Sequence, residues 1–189
     1  IDVSNIKVGG GIQVALSFIN YLLKERYSNL QFHFVLSTKV FEQISNKKKL
    51  VSYNVINTGY WTLNPFSKSR ILFRNIIKDA DLVFTLFGPN FWGNCSKHLI
   101  GFANAWIVSP NTHAYYKFPL TQRFLARLKF YILGKLLYST NKFYVTETED
   151  IKNKFLDYFS AKEEQIKVVP NSLPFMYTSE LKNINIELR

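Results

Sequence analysis

GGGIQVA, at residues 9–15, is the stretch from which the architecture of this chain can be read. It follows an apolar segment at residues 1–8 that has the character of a short strand. Apolar residues then recur at helical spacing through positions 14, 15, 18, 19, 22 and 23, which predicts an amphipathic helix. A glycine turn at a helix N-terminus leaves backbone N–H groups available to an anion, most often phosphate. The run by itself is equally compatible with a tight turn that binds nothing.

Length and composition indicate one domain of ordinary size. The 189 residues are 47% hydrophobic and 16% aromatic, which excludes a disordered chain. No uncharged apolar stretch reaches the roughly 20 residues of a transmembrane helix. The single cysteine, Cys95, cannot form an intramolecular disulfide, and His33, His98 and His113 lack the spacing of metal ligands. We therefore expect a cytoplasmic protein without a metal site.

The net charge of +11 predicts an anionic partner. The charge is unevenly distributed, because no Asp or Glu occurs from residue 82 to residue 146. The basic residues of that window include Arg123, Arg127, Lys129 and Lys135, which fall on one predicted helix together with several aromatic residues. They form either a contact surface for an anionic membrane or an ordinary solvated face.

The remaining segments alternate between strand and helix patterns. Strands are predicted at residues 30–37, 50–57, 81–87, 99–106, 142–145 and 165–169, and helices at 40–45, 67–80, 119–138 and 151–159. In the long helix we expect Phe124, Leu128, Tyr131 and Ile132 to pack on the sheet. Thr146 and Glu149 have capping-box spacing before the last helix. This order predicts an α/β fold with an open parallel, Rossmann-like sheet, helices on both faces, and ligands at the carboxyl ends of the strands.

Three motifs carry a resemblance to the N-terminal domain of the retaining GT-B glycosyltransferases of the group 1, or family 4, type. The first is the glycine turn at residues 9–11. The second is FYVTETEDIK at residues 143–152, which is similar to the strand, hydroxyl residue, acid and helix of that family. The third is IKVVPNS at residues 166–172, where Ser172 stands in place of the usual glycine.

The resemblance implies a bacterial enzyme that transfers a sugar from a nucleotide-sugar donor to a cell-surface polysaccharide or glycolipid acceptor. Residues 1–174 would form the acceptor-side domain, and residues 175–189 would lead toward a C-terminal domain that binds the donor. The chain alone is then expected to be inactive. The resemblance implies neither a metal nor another cofactor, and a lipid-linked or saccharide acceptor would bring the protein to the inner face of the plasma membrane.

The resemblance also assigns candidate site residues. Gly10, Gly11 and Gln13 would contact the donor diphosphate, and the acceptor-side candidates are Asn104, His113, Thr148 and Glu149. Many relatives carry His-Asp or a similar polar pair where this chain has Asn104-Ala105, so a histidine contact would have to come from His113 in the following loop. No catalytic residue is assigned. Two roles stay open for Trp61, Trp92 and Trp106, which either stack on sugar rings or anchor their loops.

Two other functions compete with the transferase. A basic nucleic-acid-binding module would use the charge and the aromatic residues, but the chain has no helix-turn-helix, RRM or KH pattern. A free-standing dinucleotide-binding protein would use the glycine run. That run lacks the third glycine of the G-x-G-x-x-G motif, since Gln13 and Val14 follow Gly11. We therefore expect a nucleotide sugar rather than nucleic acid as the partner.

Overall fold

The computed structural model describes residues 1–25, 27, 29–93, 95, 97–110 and 112–170. Among these residues, seven strands form one open sheet in which every neighbouring pair is parallel. The strands are β1 (Asp2–Val3), β2 (Phe34–Leu36), β3 (Tyr53–Val55), β4 (Val83–Thr85), β5 (His98–Phe102), β6 (Phe143–Thr146) and β7 (Ile166–Val168). Their order across the sheet is β3-β2-β1-β4-β5-β6-β7, which confirms the predicted Rossmann-like α/β fold.

In the part of the chain that the structure describes, six α-helices connect the strands. They are α1 (Gly10–Lys24), α2 (Thr38–Gln43), α3 (Lys68–Ile77), α4 (Ala105–Val108), α5 (Leu120–Leu137) and α6 (Glu149–Phe159), with short 3-10 helices at Tyr60–Leu63 and His113–Lys117 among the other connections. Within the described part of the chain, none of them is long and apolar enough to cross a membrane. The predicted boundary between residues 174 and 175 lies outside the described residues, as do Asn171 and Ser172.

The helices lie on both faces of the sheet, as the alternation of side chains along β4 demonstrates. Phe84 packs edge-on against Phe18 of α1, with ring centroids 5.5 Å apart. The next residue, Thr85, points to the opposite face and bonds to Asp2 there. On that second face Phe73 of α3 stacks on Trp92. The polypeptide therefore buries β1 and β4 between α1 and α3.

The prediction of a strand over residues 99–106 is wrong at its second half. β5 ends at Phe102, and Ala105–Val108 forms the short helix α4. The apolar run Ala-Trp-Ile-Val fits a buried strand and a buried helix equally well. The chain has passed the edge of the sheet by this point, and Ile107 and Val108 are buried in the core beneath α5 and α6.

The predicted packing face of α5 is also wrong. Phe124, Leu128, Tyr131 and Ile132 are exposed, whereas Leu133, Gly134 and Leu137 are buried. The physical reason is that α5 is apolar around most of its circumference, so spacing alone does not identify the side that meets the sheet. Gly134 allows the closest approach, because a Cβ there would lie 3.2 Å from Ile107.

The cap of α6 differs from the predicted capping box by two residues. Thr148, not Thr146, is the N-cap residue, and its Oγ1 accepts a hydrogen bond from the backbone N–H of Ile151 at 3.3 Å. Thr146 is the last residue of β6, and its hydroxyl donates to the carbonyl of Thr148. The predicted capping box would have started the helix at Thr146, but that residue still belongs to β6.

Candidate functional site

The glycine turn lies where the connections of the sheet change direction. After β1 the chain moves to β2 on one side, whereas after β4 it moves to β5 on the other side. In open α/β sheets such a switch point leaves a crevice at the carboxyl ends of the strands, where ligands bind. The turn from β1 into α1 therefore occupies the position at which this fold class most often holds a ligand.

The backbone of the turn is suited to an anion. Gly9 has φ +68° and ψ −155°, a conformation that disfavours any other residue. Among the residues that the structure describes, none accepts a hydrogen bond from the backbone N–H of Gly10 or Gly11. The first turn of α1 carries no acid, so nothing on that turn competes with an anion for the positive end of the helix dipole.

Contacts with neighbouring loops fix the turn in place. The side-chain amide of Asn5 donates to the carbonyls of Phe87 at 2.6 Å and Pro89 at 3.1 Å. Lys7 Nζ lies 4.3 Å from the ring centre of Trp61, close enough for a cation–π interaction. The hydroxyl of Ser37 donates to the carbonyl of Ile6. The loop before the glycines is thus tied to the loops after β4, β3 and β2.

A buried polar network that the sequence analysis missed lies beneath the turn, with Asp2 at its centre. Asp2 is 1% exposed, and its carboxyl group accepts four hydrogen bonds. The backbone N–H and the hydroxyl of Ser4 donate to Oδ1, at 3.0 and 2.6 Å. The hydroxyl of Thr85 and the indole N–H of Trp92 donate to Oδ2, at 3.1 and 2.8 Å. An Asp inside an apolar strand segment was the one signal that could have revealed it.

The network continues from Thr85 to His98, which is fully buried. The Nδ2 amino group of Asn90 can only donate, so His98 Nδ1, 3.3 Å away, is an acceptor. The ring proton therefore sits on Nε2 and is donated to Thr85 Oγ1 at 2.9 Å. Burial, with a smaller contribution from the charge of Lys142, lowers the pKa of His98 from 6.5 to about 3.

Acid should therefore destabilise the fold through His98. Because the pKa is about 3 in the folded chain and 6.5 in the unfolded chain, the unfolded state takes up the proton first as the pH falls. The contribution is complete above pH 6.5 and declines toward pH 3, with a loss of about 3 kcal/mol between pH 7 and pH 4. Urea unfolding of the native chain and of His98→Gln at both pH values measures it. Equal pH dependence in the two chains would contradict this assignment.

The other predicted site residues are spread along the same edge of the sheet. Asn104 follows β5 at the N-cap position of α4, and Gln13 is exposed in the first turn of α1. Thr148 and Glu149 follow β6, three strands away from β1, which is roughly 14 Å at the usual strand spacing. His113 is exposed, with its ring centre 6.0 Å from that of Tyr116.

Thr148 and Glu149 already have structural partners. Thr148 caps α6, and Glu149 Oε2 lies 3.6 Å from Lys152 Nζ on the same helix. Their positions therefore fit the end of a helix at least as well as an acceptor site. Asn104 follows β5, two strands away from β1, and Thr148 and Glu149 follow the next strand along the sheet.

The three tryptophans have different surroundings. Trp92 is buried, stacks on Phe73 at 4.2 Å and bonds to Asp2, so it belongs to the core. Trp106 stacks on Phe130 of α5 with ring centres 6.0 Å apart. Trp61 is 55% exposed and Lys7 Nζ lies over its ring, whereas Trp106 is 37% exposed. Trp61 is therefore the most exposed of the three, and it contacts the segment before the glycine turn.

Among the four predicted membrane residues, Arg123 differs from the rest. Its guanidinium donates to the carbonyls of Phe118 and Tyr116, and so it holds the segment before α5 against that helix. Arg127, Lys129 and Lys135 are exposed along α5. No group of three or more His, Cys, Asp or Glu residues in the described part of the chain is arranged to hold a metal ion.

Comparisons with protein-family models, with curated proteins and with solved structures find no match for this chain. The fold class therefore rests on the strand order and the parallel pairing of the seven strands.

Proposed function

We propose that this chain is the N-terminal, acceptor-side part of a retaining glycosyltransferase that moves a sugar from a nucleotide-sugar donor to a polysaccharide or glycolipid acceptor. The observation that supports the proposal is the glycine turn at the switch point of the sheet, where the N–H groups of Gly10 and Gly11 donate to no protein acceptor that the structure describes. The resemblance of the motifs to GT-B enzymes implies that the anion is the diphosphate of a nucleotide-sugar donor.

In this proposal the turn acts on the leaving group. As the sugar departs, negative charge develops on the nucleotide diphosphate, and fixed N–H donors stabilise that charge without having to reorganise. Gly10 and Gly11 supply the donors, and the dipole of α1 adds positive potential at the same point. The nucleoside itself would be held by a second domain, as in the family that the motifs resemble. No side chain of this part is assigned as a nucleophile or general base.

Gly10→Val is the substitution that best tests the proposed anion site. A Cβ at Gly10 has no heavy atom within 4 Å, so the new side chain occupies only the space in front of the turn. Gly11→Val is less clean, because a Cβ there already lies 3.4 Å from Ile6. We expect inorganic diphosphate to shift the amide NMR signals of Gly10 and Gly11 in the native chain. In Gly10→Val its affinity should fall at least about tenfold, or 1.4 kcal/mol, with no loss of thermal stability.

The N-terminus of α3 provides the internal control for this titration. Its first turn, from Lys68, also lacks an acid and a side-chain cap. Diphosphate that binds any helix N-terminus through the dipole alone would shift the signals of both helices equally. Such an equal response, or a Gly10→Val chain that binds as well as the native one, would leave the glycines as a tight turn and would overturn the proposal.

A further inference from the structure

The outer face of α5 is apolar and exposed. Leu120 is 78% exposed and Phe124 is 67% exposed, and four further residues of the same helix belong to this surface: Leu125, Leu128, Tyr131 and Ile132. A helix that is apolar all round is normally buried on every side. Large contiguous apolar patches on a protein surface usually mark a contact with a partner or a membrane. We therefore expect the outer face of α5 to contact a partner or a membrane.

Basic residues border this apolar surface. With about 100° of rotation per residue, the exposed apolar side chains of α5 span roughly 140° of its circumference. Arg127 follows on one side of that arc and Lys129 on the other, while Lys135 lies within it near the C-terminal end. No acid occurs between residues 82 and 146, so no negative side chain of α5 or its flanking segments opposes this charge. Basic residues around an apolar stripe are typical of helices that lie in the interface of an anionic bilayer.

The apolar surface extends beyond α5 toward the edge of the sheet that carries the glycine turn. Tyr60, in the 3-10 helix after β3, lines a groove of about 250 Å³ together with Leu125, Leu128, Lys129 and Ile132. Because α5 connects the parallel strands β5 and β6, it runs back from their carboxyl ends. Its N-terminal half, with the most exposed side chains, therefore lies at the ligand-binding edge.

We propose that the outer face of α5 docks on an anionic phospholipid bilayer. The apolar side chains from Leu120 to Ile132 insert between the lipids, and Arg127, Lys129 and Lys135 contact the headgroup phosphates. The helix lies flat on the surface, and the groove beside Tyr60 faces the lipids. This docking is independent of the transfer reaction, but it would hold the carboxyl edge of the sheet within reach of a lipid-linked acceptor.

Charge and side-chain type favour a bilayer over the other occupants. A second copy of this face would bring like charges together, which opposes association. Residues 171–189 carry two acids and two basic residues, Glu180, Glu187, Lys182 and Arg189, and so offer no net negative charge to this surface. Nucleic acids bind basic surfaces through phosphates and stack on aromatic rings, but the protruding Leu120 and Leu125 are aliphatic.

Co-sedimentation of residues 1–189 with lipid vesicles tests the proposal. One set of vesicles contains phosphatidylglycerol in phosphatidylcholine, and the other contains phosphatidylcholine alone. We expect binding to the anionic set only. Replacing Leu120, Phe124 and Leu125 together by Ser, or Arg127, Lys129 and Lys135 together by Gln, should each weaken binding by about a hundredfold. Arg123 is left unchanged because it holds the helix junction.

Two matched variants separate this surface from general stickiness. In the first, Lys47, Lys48 and Lys49 are replaced by Gln, which removes three positive charges from a different part of the surface. In the second, Val8, Val51 and Phe66 are replaced by Ser, which removes three exposed apolar side chains away from α5. Both should bind vesicles like the native chain. The docking proposal fails if the Leu120/Phe124/Leu125 variant binds vesicles normally, if that variant instead abolishes a native dimer, or if an RNA or DNA oligonucleotide binds more tightly than vesicles at the same salt concentration.

Discussion

Asp2→Ala should lower the free energy of unfolding by roughly 4 kcal/mol, because it leaves several buried donors without an acceptor. The indole N–H of Trp92, the hydroxyl of Thr85 and the backbone N–H of Ser4 all donate to this one carboxyl group. Each unsatisfied buried group costs about 1–3 kcal/mol. In a chain of this size the thermal midpoint should fall by roughly 10 °C, which calorimetry or urea unfolding measures.

A double-mutant cycle tests whether the network is the cause. Trp92→Phe removes one donor but keeps an aromatic ring to stack on Phe73. The double variant Asp2→Ala/Trp92→Phe should therefore be more stable than the sum of the two single losses predicts, since one donor no longer lacks its acceptor. Strict additivity of the two losses would show that the carboxyl group and the indole do not act together.

Gly101→Ala should cost at least about 3 kcal/mol, because the added methyl group would collide with the backbone of Leu86, the residue that follows β4. A Cβ at Gly101 would lie 1.8 Å from the carbonyl oxygen of Leu86 and 2.9 Å from its carbonyl carbon. Neither backbone atom can rotate away as a side chain does. β4 and β5 would have to separate, and the hydrogen bond from Gly88 N–H to the Gly101 carbonyl, 2.8 Å long, would be lost.

Gly10→Ala is the control for that substitution, since a Cβ at Gly10 meets no atom within 4 Å. Its thermal midpoint should equal that of the native chain or exceed it slightly, because Ala favours a helix more than Gly does. A Gly101→Ala chain as stable as this control would contradict the close packing of β4 against β5.

The sequence predicted those parts of the fold that depend on local signals. The glycine turn, the helix after it and the alternation of strands with helices all follow from spacing within a few residues, and they were enough to indicate the parallel sheet. The bounds of α1 illustrate this success, since the helix begins at Gly10 within the predicted turn.

The parts that escaped prediction depend on distant residues. Asp2 receives two of its donors from Thr85 and Trp92, 83 and 90 positions later, so its place in a strand segment could indicate burial but could not identify these partners. The buried side of α5 is set by Ile107 and the strands beneath, whereas the helix itself is apolar nearly all round. The candidate site likewise has one part that local sequence predicts and one part that depends on distant residues. The glycine turn is readable locally, but the contacts that fix it come from Phe87, Pro89 and Trp61.

The network around Asp2 also bears on the order in which the sheet assembles. β1 lies in the middle of the sheet but contributes only Asp2 and Val3 to the ladder, so its backbone offers little to distinguish the correct alignment from one shifted by a single residue. Such a shift would turn Val3 toward Trp92 and Asp2 toward the apolar core under α1. The donors that prevent it are at residues 85 and 92. The alignment of β1 therefore depends on residues that are made long after it during synthesis.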